Sequence, residues 1–137
     1  MTRVGLVSYD AGNIGSVTGI LEQLVDLKVS LISNVFDLDA VDVVLIPGAG
    51  HFGAVALGLG NAGLISGLKA YANSGKLLIG ICAGAQILLG SSDEAPNVMG
   101  LNLIPGHTRS IYLNQKFKDR VPRIGWQYVH WSEQISS

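Results

Sequence analysis

The chain has 137 residues, a length that argues for one domain, 1–137, able to bury roughly two thirds of its unfolded surface. Hydrophobic residues make up 48 % and charged residues 14 %, against about 25 % charged in an ordinary soluble domain, so a disordered chain is excluded. Nine basic and ten acidic side chains leave a formal net charge of −1 with no Lys/Arg block, which speaks against nucleic acid or an anionic membrane as partner.

The single cysteine, Cys82, has no partner for an internal disulfide, so a reducing compartment and a cytoplasmic location are expected. The N-terminal run reaches Tyr9-Asp10 too early for a secretory leader. The most apolar stretch, Leu77 to Leu89, is too short to span a bilayer and carries Gln86 inside it.

Val4 to Ser8 is a compact apolar run that reads as a buried strand, followed by a turn at Asp10-Ala-Gly-Asn13 that supplies a helix N-cap. Ile14, Val17, Leu21, Leu24 and Val25 recur at helical spacing, and Lys28 to Ser33 returns to a strand pattern. Val43 to Ile46 is a third strand, stopped by Pro47-Gly48. After a glycine-rich loop from Pro47 to Gly53, the face Leu64, Ile65, Leu68, Tyr71 and Ala72 marks a helix closed by Gly75. Lys76 to Cys82 is a fourth strand, Ala83 to Leu89 a short helix, and Ser91 to Gly100 a polar loop. Leu101 to Ile104 and Ile124 to Trp131 are expected as further strands.

Alternating helix patterns and nearly continuous apolar strands predict an α/β fold with a mostly parallel sheet covered on both faces. Ligands in such sheets bind at the carboxyl ends of the strands. Three glycine-bearing turns fall there: Asp10 to Gly15, Pro47 to Gly53, and Gly80 to Gly84.

Taken alone, one cysteine on an apolar strand is a packing residue. Cys82, however, stands in Gly80-Ile-Cys-Ala-Gly84, the thiol analogue of a nucleophile elbow, where small neighbours allow a sharp strand-to-helix turn and expose the side chain. A helix beginning just beyond it would put the partial positive charge of its first turn beside the sulfur. An acyl-transfer nucleophile also needs donors for the developing oxyanion. Ala83 N–H is one candidate, and the glycine-bearing loop Gly48-Ala49-Gly50 is the other, although Pro-Gly also marks ordinary turns. Gln86, four residues past Cys82, lies one helical turn along the same face and can meet a polar substrate or simply solvent.

The base that a thiol nucleophile needs is normally a histidine. His51, His107 and His130 are dispersed: His51 is best read as a loop cap, and the other two as structural or surface residues. With one thiol and scattered histidines a metal site is not expected. No G-x-x-x-x-G-K-[ST] loop is present, and no nucleotide cofactor is expected.

These motifs resemble a known family. Gly80-Ile-Cys-Ala-Gly-Ala-Gln86 is similar to the nucleophile motif of class I (triad-type) glutamine amidotransferases, and Pro47-Gly-Ala-Gly-His-Phe-Gly53 to their oxyanion strand. Tyr9-Asp-Ala-Gly-Asn-Ile-Gly-Ser16 and Pro122-Arg-Ile-Gly-Trp-Gln127 narrow the resemblance to the glutaminase subunits of imidazole glycerol phosphate synthases, from Val4 to about Trp131. The resemblance implies a flavodoxin-like fold, hydrolysis of L-glutamine through a cysteinyl thioester, and delivery of ammonia to a (β/α)8-barrel cyclase in histidine biosynthesis, with no cofactor. It casts Cys82 as nucleophile, Gly48 to Gly50 and Ala83 as the oxyanion region, Gln86 as a glutamine contact, and Asp10, Asn13 and Trp126 as partner-facing.

The chain departs from the family at Ala83, Ala85, Arg123 and Gln127. The family's catalytic His and Glu sit in a His-Pro-Glu segment that these 137 residues do not contain. The chain alone is therefore expected to have negligible glutaminase activity. Two other readings stand beside this one: a paralogous amidotransferase subunit serving a surface-sugar pathway, and a catalytically inactive binding module.

Overall fold

In the computed structural model, the structure describes residues 1–9 and 13–111, together with Gly125, Trp126, Tyr128 and His130. The chain begins with β1 (Thr2–Val7), α1 (Ile14–Leu21) and β2 (Leu27–Ile32), then a short 3₁₀ helix (Val35–Ala40) and β3 (Val43–Ile46). Next come α2 (Phe52–Asn61), α3 (Ile65–Asn73), β4 (Leu77–Gly80) and α4 (Ala83–Gln86). Two short strands, β5 (Ser91–Ser92) and β6 (His107–Thr108), complete the described elements.

The main sheet has the order β2-β1-β3-β4 and every pairing is parallel. Parallel strands need a crossover between neighbours, and the chain supplies one after each strand. The register sets Val29, Val4 and Val43 side by side, with Leu31, Leu6 and Leu45 beside one another two residues on. Side chains alternate across a strand, so Val4, Leu6 and Leu45 share one face, where Ile14, Val17 and Leu21 pack against them. Val7, Ile32, Val44 and Ile46 point to the other face and join the larger core, with Phe52, Val55 and Leu59 of α2 and Leu64, Leu68 and Tyr71 at and within α3. On β4 and just beyond it, Leu77, Ile79 and Ile81 are exposed.

Several sequence expectations are corrected. Leu24 and Val25 lie beyond α1, which ends at Leu21, and both are exposed; the turn through Asp26, with φ of 67°, redirects the chain into β2. The stretch from Pro47 runs straight into α2, a helix that the sequence reading passed over. The fourth strand is shorter than Lys76 to Cys82, and the helix after Cys82 closes at Gln86. Leu101 to Ile104 is not a strand. Its N–H groups bond instead to carbonyls just past α4, Leu101 to Ile87 at 2.7 Å and Leu103 to Leu88 at 2.8 Å, while Leu101 is buried in the core. Such orphan carbonyls follow every helix end, and this loop satisfies them. Within the expected polar loop, Ser91–Ser92 pairs in parallel with His107–Thr108. The strand expected at Ile124 to Trp131 falls mostly outside the described residues. Among those described, no single helix is long and apolar enough to cross a membrane.

Candidate active site

The site forms where β3 and β4 end. Ile81 N–H bonds to Ile46 O at 3.0 Å, which holds the two strand ends together up to the residue before Cys82. Cys82 then takes φ 54° and ψ −118°, a combination that L-residues rarely adopt and that costs on the order of 1–3 kcal/mol. The chain turns at once into α4, with Ala85 N–H and Gln86 N–H both bonded to Cys82 O at 2.9 and 3.1 Å. The thiol is exposed. This is the strand-to-helix elbow expected of Gly80-Ile-Cys-Ala-Gly84, and its glycines have a steric reason. A Cβ on Gly80 would stand 2.6 Å from the Ala85 backbone, and one on Gly84 would stand 2.9 Å from the Ile46 carbonyl carbon.

The loop after β3 closes over this turn. A Cβ on Gly48 would stand 2.7 Å from the Ala83 carbonyl carbon and 2.8 Å from Ile81 O, so the two backbones touch with no side chain between them. Gly50 has φ 92°, a glycine conformation, and Ala49 and Gly50 are both exposed. Of the expected oxyanion residues, Gly48 packs on the backbone of Ala83, the residue after Cys82, and Ala49 and Gly50 follow it in the same loop. The helix offers less than the sequence suggested. At a single turn, α4 is too short to give Cys82 the field of a long helix.

Tyr9 anchors the loop, a role the sequence reading missed. Its hydroxyl donates to Pro47 O, its ring fills the space that Gly58 leaves on α2, and burial pushes its phenol up to about 12. His51 caps α2, its Nδ1 accepting from Gly53 N–H at 3.1 Å, in line with the loop-cap reading.

Gln86 closes α4 and lines a cleft of about 390 Å³ with Ser92, Glu94, Thr108, Arg109, Ser110 and Ile111. Two polar atoms of this lining, Gln86 Oε1 and Thr108 Oγ1, are buried without a hydrogen-bond partner among the described residues. Buried acceptors left unpaired cost about 1–3 kcal/mol each. Glu94 is fixed from outside the cleft, its Oε2 accepting from Phe52 N–H at 3.0 Å. The sequence reading found only Gln86 here; the signal it missed was the polar pair Asp93-Glu94 following two serines.

The expected partner-facing residues are less well grouped. Asn13 is exposed at the N-cap of α1, without a side-chain capping bond, and Trp126 is fully exposed rather than a core aromatic. Asp10 lies outside the described residues, as do Arg123 and Gln127.

The arrangement agrees with what known proteins show. Residues 16–123 match the CobB/CobQ-like glutamine amidotransferase domain. The chain belongs to the class I glutamine amidotransferase family. It is 41 % identical over 128 residues to the imidazole glycerol phosphate synthase subunit HisH of Prochlorococcus marinus (strain MIT 9312), covering 92 % of this chain and 60 % of that protein. It is 39 % identical over 124 residues to the subunit of the same name from Listeria innocua, covering 90 % and 58 %. An Emericella nidulans protein named imidazole glycerol phosphate synthase hisHF is 36 % identical over 126 residues, 92 % of this chain and 22 % of that one. The chain thus spans about 60 % of the length of the HisH relatives. Among solved structures, a glutamine amidotransferase superposes with a TM-score of 0.69 at 18 % identity, over 82 % of this chain and 59 % of that one. A peptidase E-like protein from Listeria monocytogenes superposes with 0.61 at 19 % identity, over 75 % and 63 %. Both share the parallel α/β fold of this amidotransferase domain.

Proposed function

We propose that the chain carries the glutaminase half-site of an imidazole glycerol phosphate synthase. The observation that carries this reading is Cys82, held at positive φ between two glycines whose missing side chains let β3, β4 and α4 meet. In the reaction the Cys82 thiolate attacks the carboxamide carbon of L-glutamine. The oxygen of the tetrahedral intermediate is stabilised by Ala83 N–H and the Gly48 to Gly50 backbone. The proton given up by the thiol passes to the amide nitrogen, so that collapse breaks the C–N bond, releases ammonia and leaves a γ-glutamyl thioester that water hydrolyses to glutamate. The cleft beside Gln86 receives the amino-acid end of the substrate, with Arg109 as the cation for its α-carboxylate.

The ammonia is delivered to a (β/α)8-barrel cyclase subunit in a heterodimer, with Asn13 and Trp126 on the partner side. The HisH relatives and the Emericella protein, whose name joins HisH with HisF, support that acceptor over others. Of the chain's histidines, His51 is committed to a helix cap and His107 to an acidic partner. Neither is therefore free to serve as the base of Cys82.

The test is substrate protection of the thiol. L-Glutamine at about 1 mM and above is expected to slow alkylation of Cys82 by iodoacetamide, while D-glutamine leaves the rate unchanged. Equal rates with and without L-glutamine contradict the reading.

A further inference from the structure

We infer that His107 is a positioning residue of the cleft, clasping Ser91 and Asp93 so that the wall carrying Thr108, Arg109 and Ser110 is held at the substrate's distance. This inference rests on the glutamine reading above and deepens it. The β5–β6 ladder has two residue pairs, Ser91 with His107 and Ser92 with Thr108. A ladder this short has little stability of its own. Its two faces do different things. Ser92 is fully buried, and Thr108 is part of the cleft lining. Ser91 and His107 turn outward, where His107 Nδ1 meets Ser91 Oγ at 2.7 Å.

The other ring nitrogen, Nε2, lies 2.7 Å from Asp93 Oδ1. The second oxygen of that carboxylate accepts from Ser110 N–H at 2.8 Å, and Asp93 N–H bonds to Thr108 O at 2.9 Å. One imidazole thus bonds two points, Ser91 and Asp93, of a strand pair that is otherwise joined by few bonds. The residue after Asp93 is Glu94, pinned to the first N–H of α2, and the residue after His107 is Thr108. The clasp therefore fixes the spacing between the α2 side and the β6 side of the cleft. It touches no substrate, and its effect on binding passes through the wall it holds.

The experiment measures the L-glutamine concentration giving half-protection of Cys82 against iodoacetamide in the full chain, its His107→Ala variant and its His107→Gln variant. Hydrogen exchange at the Asp93 and Ser110 amides is followed in parallel. Removing the clasp is expected to raise the half-protecting concentration about 3- to 10-fold, the effect of one ordinary hydrogen bond. Exchange at the two amides should speed up, while the alkylation rate without glutamine stays unchanged. His107→Gln, whose amide N–H can still donate to Asp93, is expected to recover most of the affinity. The same half-protecting concentration in wild type and His107→Ala overturns the inference while leaving the glutamine reading standing. Absence of any protection in the wild type defeats the glutamine reading, and this inference with it. Should His107→Ala unfold, Asp93→Asn is measured in its place; loss of the whole fold in both overturns a local role.

Discussion

Cys82 pays for its exposure in backbone strain, and that strain can be measured by comparing two side chains that both remove the thiol. Alanine keeps a Cβ at φ 54° and ψ −118°, so Cys82→Ala retains the strain of on the order of 1–3 kcal/mol. Glycine releases it but adds roughly 0.5–1 kcal/mol of backbone entropy to the unfolded chain. The thiol is exposed, so losing it removes little buried area in either variant. The difference leaves Cys82→Gly more stable than Cys82→Ala by about 1 kcal/mol, or some 3–5 °C in Tm at this chain length. Urea unfolding followed by circular dichroism gives the free-energy difference directly, provided that m is the same in both variants. A glycine variant no more stable than the alanine variant would refute the idea that position 82 is strained.

Three further outcomes are expected. Gly84→Ala drives a Cβ into Ile46 and Pro47 backbone that has no flexible side chain to give way; it should cost about 1–3 kcal/mol or more in urea unfolding and slow alkylation of Cys82. Tyr9→Phe loses the bond to Pro47 O and about 1 kcal/mol near neutral pH. Because Tyr9 holds its proton to about 12 in the fold while an unfolded tyrosine ionises near 10, wild-type stability falls between these pH values, and the variant should lack that part of the alkaline loss. The Arg3 guanidinium, 2.6 Å from Asp42, holds that carboxyl well below the usual carboxylate range. Its contribution is present above pH ~4 and lost as pH falls through the lowered value. Asp42→Asn should therefore flatten the acid limb of a pH–stability curve measured by thermal melting.

The strands of the sheet and the elbow were legible because each is a local signal. Val43 to Ile46 stops at Pro47, and Gly80 and Gly84 bracket Cys82 at a spacing with a steric meaning. α2 was hidden by Gly53, Gly58 and Gly60, which lower helix propensity. Its buried face, Phe52, Val55, Ala56 and Leu59, nevertheless has helical spacing, and Gly58 is small because the Tyr9 ring occupies its place. The 3₁₀ helix was signalled by Asn34 and Asp37, a reciprocal capping pair that the structure realises. Leu101 to Ile104 is apolar like a strand, but its N–H groups serve the end of α4, a tertiary demand that no local pattern displays. The cleft was the least legible part. Thr108, Arg109 and Glu94 come together only when β5 pairs with β6, and two-residue strands leave no periodicity to read.

The central claim is that Cys82 is a nucleophile aimed at the side-chain end of L-glutamine. Its most direct test is incubation of the chain with 6-diazo-5-oxo-L-norleucine, a glutamine analogue that traps such thiols, followed by mass spectrometry of the digested protein. One adduct, located on Cys82 and suppressed by L-glutamine, is the expected result. An unmodified Cys82 that still reacts with iodoacetamide would contradict the account.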